Sequence, residues 1–169
     1  MTTTQHAIAA IRHGARTIAL TAMLGLAACN GEAETTATET GAAVSQGMTI
    51  TNARLVLPPV AGNPAAVYFD LSYSGDQSPT LSSVAVEGAG MTMIHDYGEA
   101  AGKMQMMEAQ PIVLTTGNPV TFAPGGLHVM AMQPSADWQP GGTVKVTLTL
   151  SDGSSQSFDA QVRAAGEER

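Results

Sequence analysis

The chain has 169 residues, with seven Lys/Arg, fourteen Asp/Glu and four histidines, and a formal net charge of −7. Its single cysteine excludes an intrachain disulfide and a zinc–thiolate cluster. Its acidity argues against nucleic acid and against an electrostatic grip on anionic lipid.

Residues 1–28 read as a secretion signal rather than as structure. Arg12 and Arg16 supply a short basic region, and residues 18–28 (IALTAMLGLAA) are apolar. That run is too short to span a bilayer as a stable helix. It ends in Leu26-Ala27-Ala28-Cys29, which resembles the lipobox of bacterial lipoproteins. The resemblance implies cleavage before Cys29, lipidation of that residue and attachment to a membrane in the periplasm or cell envelope. Asn30 stands where an Asp would favour inner-membrane retention, which favours the outer membrane. After cleavage five Lys/Arg face fourteen Asp/Glu, a balance of −9.

Residues 29–47 comprise the lipidated cysteine and an acidic, polar stretch with one large aliphatic, Val44, read as a flexible tether. From Met48 the chain changes to short apolar runs separated by turn signals. Strands are expected over 48–57, 66–73, 81–86, 90–97, 103–108, 127–132, 143–150 and 156–162. Gly62-Asn63-Pro64, Gly117-Asn118-Pro119, Pro124-Gly125-Gly126 and Pro140-Gly141-Gly142 punctuate them. The run 143–150 has the clearest period of two, with Val144, Val146, Leu148 and Leu150 on one face. No amphipathic helix of useful length appears. Residues 48–163 therefore suit one all-β domain, an antiparallel sandwich or barrel, followed by a short polar tail at 164–169.

Within that domain, alternate residues of a strand share a face. Residues 127–132 put His128, Met130 and Met132 together, opposite Leu127, Val129 and Ala131. Residues 103–108 put Met104 with Met106, and 90–97 align Met91, Met93 and His95. His95 and His128 are the only histidines beyond the signal, and seven of the eight methionines after residue 29 lie between Met91 and Met132. His95, Met106, His128 and Met130 follow the spacing H-x10-M-x21-H-x-M. Neutral imidazole with thioether favours Cu(I) over hard cations such as Mg²⁺ or Ca²⁺. One Cu(I) per domain is expected, held by four uncharged donors, with Asp96, Glu99 and Glu108 as candidates to offset its charge. A blue-copper centre is excluded, because Cys29 is committed to lipid and no thiolate remains. Methionine in a sandwich is more often flexible core filler than ligand, and Met91, Met93 and Met107 are read that way. Met104 and Met132, each two residues from a proposed ligand, read as accessory donors or as packing neighbours.

These residues resemble the motif H-(M)-x10-M-x21-H-x-M of the periplasmic copper(I) chaperone family PCuAC. The segments Pro124-Gly125-Gly126-Leu127-His128-Val129-Met130 and Gly62-Asn63-Pro64-Ala65-Ala66-Val67-Tyr68 are similar to family segments as well. The resemblance implies a cupredoxin-like antiparallel β-sandwich or Greek-key barrel that holds Cu(I) at one end. It also implies delivery to the copper subunit of cytochrome c oxidase or to a thioredoxin-like copper assembly factor. Two departures stand out. Asp96, not methionine, follows His95, and the chain ends without a His/Met-rich tail, so no additional Cu(II) site is expected. A copper-buffering or resistance protein without a dedicated recipient is the alternative, and a copper oxidoreductase a more distant one.

Overall fold

The computed structural model describes residues 43–45 and 47–167. The signal segment, Cys29 and the first part of the acidic stretch lie outside the described residues. Eleven strands follow in order: β1 Ala43–Ser45, β2 Met48–Val56, β3 Ala65–Tyr73, β4 Thr80–Val86, β5 Ala89–Ala100, β6 Lys103–Glu108, β7 Ile112–Val113, β8 Val120–Phe122, β9 His128–Pro134, β10 Thr143–Leu150 and β11 Ser155–Arg163. No helix occurs among the described residues. All eight expected strands are present, two of them (β6 and β10) with the expected bounds.

The hydrogen-bonded order is β6-β5-β9-β3-β2-β11-β10-β4-β7, with β1 added to β2 and β8 to β3. Two features depart from the sequence reading. First, β1 falls in the stretch read as tether: Ala43–Ser45 pairs with Met48–Ile50 across a turn at Gly47. Second, the sheet is not wholly antiparallel, because Gln161–Arg163 of β11 runs parallel to Arg54–Val56 of β2. The pairing of β2 with β3 slips between Thr51 and Arg54, where Asn52 takes a positive φ of 56° and donates to Asp70 Oδ2 at 2.7 Å. A bulge of this kind bends the strand and raises its twist. The two ends of β2 take different neighbours, β1 at one and β11 at the other.

Alternation decides what fills the interior. Ala65, Val67, Phe69 and Leu71 of β3 are buried, as are Val144, Val146, Leu148 and Leu150 of β10 and Phe158, Ala160 and Val162 of β11. Phe69 anchors this core, stacked on Phe122 at 4.2 Å between centroids and tilted against Phe158 at 5.3 Å. These side chains form one continuous buried cluster that also takes in Val129 and Ala131 of β9, with Ile94 of β5 packed against it. The core thus occupies one face of β5 and β9. The other face is left for the residues that follow.

Candidate metal centre

Strand β5 lies between β6 and β9, and its two registers assemble the site. Toward β9 the direct partners are Met91–Met132, Met93–Met130 and His95–His128. Toward β6 they are His95–Glu108, Tyr97–Met106 and Glu99–Met104. Directly paired residues project to the same face, so all of these share one surface. His95 and His128 form the central rung. Met130 stands one rung to one side, across from Met93, and Met106 one rung to the other, across from Tyr97. Diagonal neighbours on such a surface lie about 7–8 Å apart, within reach of long side chains. All four residues singled out by spacing are therefore brought together. The opposite face of the same strands carries Ile94 across from Val129 and Thr92 across from Ala131.

The two imidazoles meet edge to face, with ring centroids 5.9 Å apart and planes at 85°. His128 is buried, and its Nδ1 lies 2.8 Å from the carbonyl oxygen of Gly126. A carbonyl only accepts, so Nδ1–H donates and the lone pair sits on Nε2. The loop before β9 makes this possible: Gly125 adopts φ 82°, Gly126 N–H donates to Ala123 O at 3.1 Å, and Ala123 N–H to Leu127 O at 2.8 Å. His95 is different. Its Nδ1 is buried and has no hydrogen-bond partner, a state that costs about 1–3 kcal/mol unless something else satisfies it. A metal ion in front of the ring would do so, and the site fits one.

One neighbour of the histidine pair, Tyr97, is not among the residues that the spacing singles out. The ring of Tyr97 lies 5.8 Å from that of His128, and Tyr97 pairs directly across from Met106, one rung along from His95. Its position two residues after His95, on the same strand face, was the available signal. The three acidic candidates separate. Glu108 is directly across from His95, whereas Glu99 is two rungs away beside Met104. Asp96 belongs to the other face, and its Oδ1 accepts the N–H of Tyr97 at 2.8 Å.

The methionines correct an expectation. None of the seven between Met91 and Met132 is buried, whereas Met48 is wholly buried. The core-filler reading therefore does not hold for Met91, which is 55% exposed, nor for half-buried Met93. Met107 is not core either, and it points away from the centre. It lies on the opposite face over Gly98, where a Cβ would sit 2.9 Å from its sulfur. Met104 and Met106 are both exposed, Met130 and Met132 half-buried. No group of three or more His, Cys, Asp or Glu suited to a metal occurs among the described residues. The donors on offer are nitrogen and thioether sulfur.

An all-β domain that presents two imidazoles and several thioethers on one half-exposed sheet face defines a soft-metal-binding module. The chain is also similar to known proteins. The lipoprotein LpqE-like family matches residues 48–162, and the chain belongs to that family, with a domain of the PCuAC type. The chain is 27% identical over 99 residues to lipoprotein Lxx21020 of Leifsonia xyli subsp. xyli, covering 58% of this chain. It spans 60% of the length of that curated relative. Among solved structures it is similar to the apo PCuAC domain from PmoF1 (25% identity, TM-score 0.62, 73% of this chain and 99% of that one). It is likewise similar to the copper-bound PCuAC domain from PmoF2 (23%, 0.61, 73% and 98%). A third is the Cu(I) form of DR1885 from Deinococcus radiodurans (25%, 0.53, 79% and 85%). The fold is the cupredoxin-like β-sandwich of these domains.

Proposed function

We propose that this protein is a lipid-anchored, extracytoplasmic Cu(I) metallochaperone that binds one copper through His95, Met106, His128 and Met130. The observation that carries the reading is the central His95–His128 rung flanked by Met130 on one side and Met106 on the other. Two neutral nitrogens and two thioethers suit a d¹⁰ monovalent ion and leave the bound site with a charge of +1. Nε2 of His128 is preset as a donor by the Gly126 carbonyl, the kind of outer partner that fixes a metal-ligating ring. The Cu(I)-bound state of DR1885 and the copper-bound PmoF2 domain support the same cargo.

The domain acts by holding and releasing metal rather than by catalysis. Met106 is 44% exposed and lies on the outermost strand, so a recipient's soft donor can approach from that side while the histidines still hold the ion. The recipient fits the copper subunit of cytochrome c oxidase or a thioredoxin-like assembly factor, and Cys29 supplies the anchor at the cell envelope. The family's description as lipoproteins supports the last point.

The test is a competition followed by a transfer. The mature chain, titrated against a Cu(I) chelator, is expected to take up copper tightly through His95 and His128 and to give it to an apo copper-subunit domain mixed in equal amount. Retention of the metal in that mixture would identify a buffer instead. Tight stoichiometric zinc with weak Cu(I) would sink the donor assignment.

A further inference from the structure

The β5–β9 ladder does not stop at the copper donors. Beyond Met93–Met130 comes the rung Met91–Met132, on the same face. Met91, Met93 and Met132 thus stand together, outside the four donors assigned above. Packing does not account for Met91, and none of the three is buried in the core. The core side of the same two strands is filled by Ile94, Val129 and Ala131. A methionine left 55% exposed, as Met91 is, forgoes most of the burial for which this residue is used in interiors. Opposed Cβ atoms in such pairs lie about 4.5–5.5 Å apart, and diagonal ones about 7–8 Å. Methionine has three rotatable bonds, so three sulfurs set out this way can converge on one ion.

We propose that Met91, Met93 and Met132 form a second, weaker Cu(I) site beside the first. Neither rung carries a carboxylate, imidazole or hydroxyl. Thioethers alone select a soft monovalent ion and offer Mg²⁺, Ca²⁺ or Zn²⁺ too little. The site is weaker than the first because it lacks nitrogen donors and is more open to water. Met130 faces Met93 across the ladder and belongs to the first set, so it stands where both sites can reach it. Copper passes between them by exchanging one neutral donor for another. No bond other than metal–ligand bonds changes, and no electron moves. The inference rests on Cu(I) being the cargo, not on the assignment of His95 and His128.

The experiment follows Cu(I) uptake by the full mature chain in detergent, with free Cu(I) set by chelators of graded strength and methionine methyl groups observed by NMR. In the wild type a first equivalent is expected to shift the methyls of Met106 and Met130. A second, at higher free Cu(I), shifts those of Met91, Met93 and Met132. The M91L/M132L variant keeps the first equivalent and loses the second by about tenfold or more in affinity. The H95A/H128A variant loses the first and keeps the thioether-bound copper. Saturation of the wild type at one equivalent overturns the proposal, as does a second equivalent that survives in M91L/M132L. If H95A/H128A retains both equivalents, the second site stands and the ligand assignment of the first fails.

Discussion

His95 and His128 face each other across the ladder, yet only His128 is held from behind. Its Nδ1–H donates to Gly126 O at 2.8 Å, while the buried Nδ1 of His95 has no partner. Without metal the two rings therefore make unequal contributions to stability. His95→Ala removes an unsatisfied polar atom and should leave the apo domain as stable as the wild type, or slightly more so. His128→Ala removes a hydrogen bond and a buried ring, and should cost about 1–3 kcal/mol. Urea denaturation of the two apo variants checks this. Equal losses would mean that the asymmetry has no energetic content. Both variants should bind Cu(I) more weakly.

The metal face and the core are separate surfaces of the same strands. Met106→Leu and Met130→Leu keep much of the side-chain bulk and remove the sulfur. Each should weaken Cu(I) by about tenfold or more, the loss of one donor, without shifting the apo melting temperature appreciably. Phe69→Ala is the contrast. It opens the centre of the core and should cost about 3–5 kcal/mol. A large melting shift in the methionine variants would show that those side chains hold the fold and not the ion.

The hairpin that presents Met106 carries a local strain. β5 and β6 are joined by two residues, Ala101 and Gly102, with φ of 51° and 74°. This turn suits Asn-Gly, because both central residues take positive φ. Ala101 carries a Cβ into a conformation costing about 1–2 kcal/mol. Ala101→Asn or Ala101→Gly should raise stability by a few tenths to about 1 kcal/mol, measurable as a higher urea midpoint. A lower midpoint would mean that the methyl group is needed.

A pH effect is expected far from the metal face. The Ser154 hydroxyl donates to Asp152 Oδ1 at 2.6 Å, and the Ser154 N–H donates to the same oxygen at 2.9 Å. These bonds, the hydroxyl first, hold the carboxyl below its ordinary value of 3.8. A depressed carboxylate contributes stability that is fully present above that value and is lost as pH falls through the folded one. Ser154→Ala should therefore be less stable than the wild type at neutral pH, with the gap closing in acid. A gap that persists unchanged in acid would detach the effect from Asp152.

Much of this arrangement was legible in the chain. Period-two alternation located β10 residue for residue and placed Val129 and Ala131 on the face opposite His128, because one buried face imposes that pattern directly. Spacing alone could not show that His95 pairs with His128 and Tyr97 with Met106, since register is set by neighbouring strands distant in sequence. β7 and β8, two and three residues long, are too short to display any period. β1 is three residues long, too short for a period, and pairs with β2. The parallel β2–β11 pair begins at Arg54, just past the bulge at Asn52, and no turn signal announces it. The support of His128 by Gly126 arises from loop geometry, which the glycines permit but do not specify.

Strand β6 ends the sheet, and all six of its residues are exposed. Its amides have β5 as their one neighbouring strand, whereas those of β5 and β9 belong to strands flanked on both sides. Backbone groups so placed open in local fluctuations that leave the rest of a domain intact. In the apo protein, amide protons of residues 103–108 should exchange with solvent much faster than those of 128–134. Of the four residues assigned to copper, three lie on strands flanked on both sides and Met106 lies on the edge strand. Metal capture should therefore register as slowed exchange concentrated on one short edge strand.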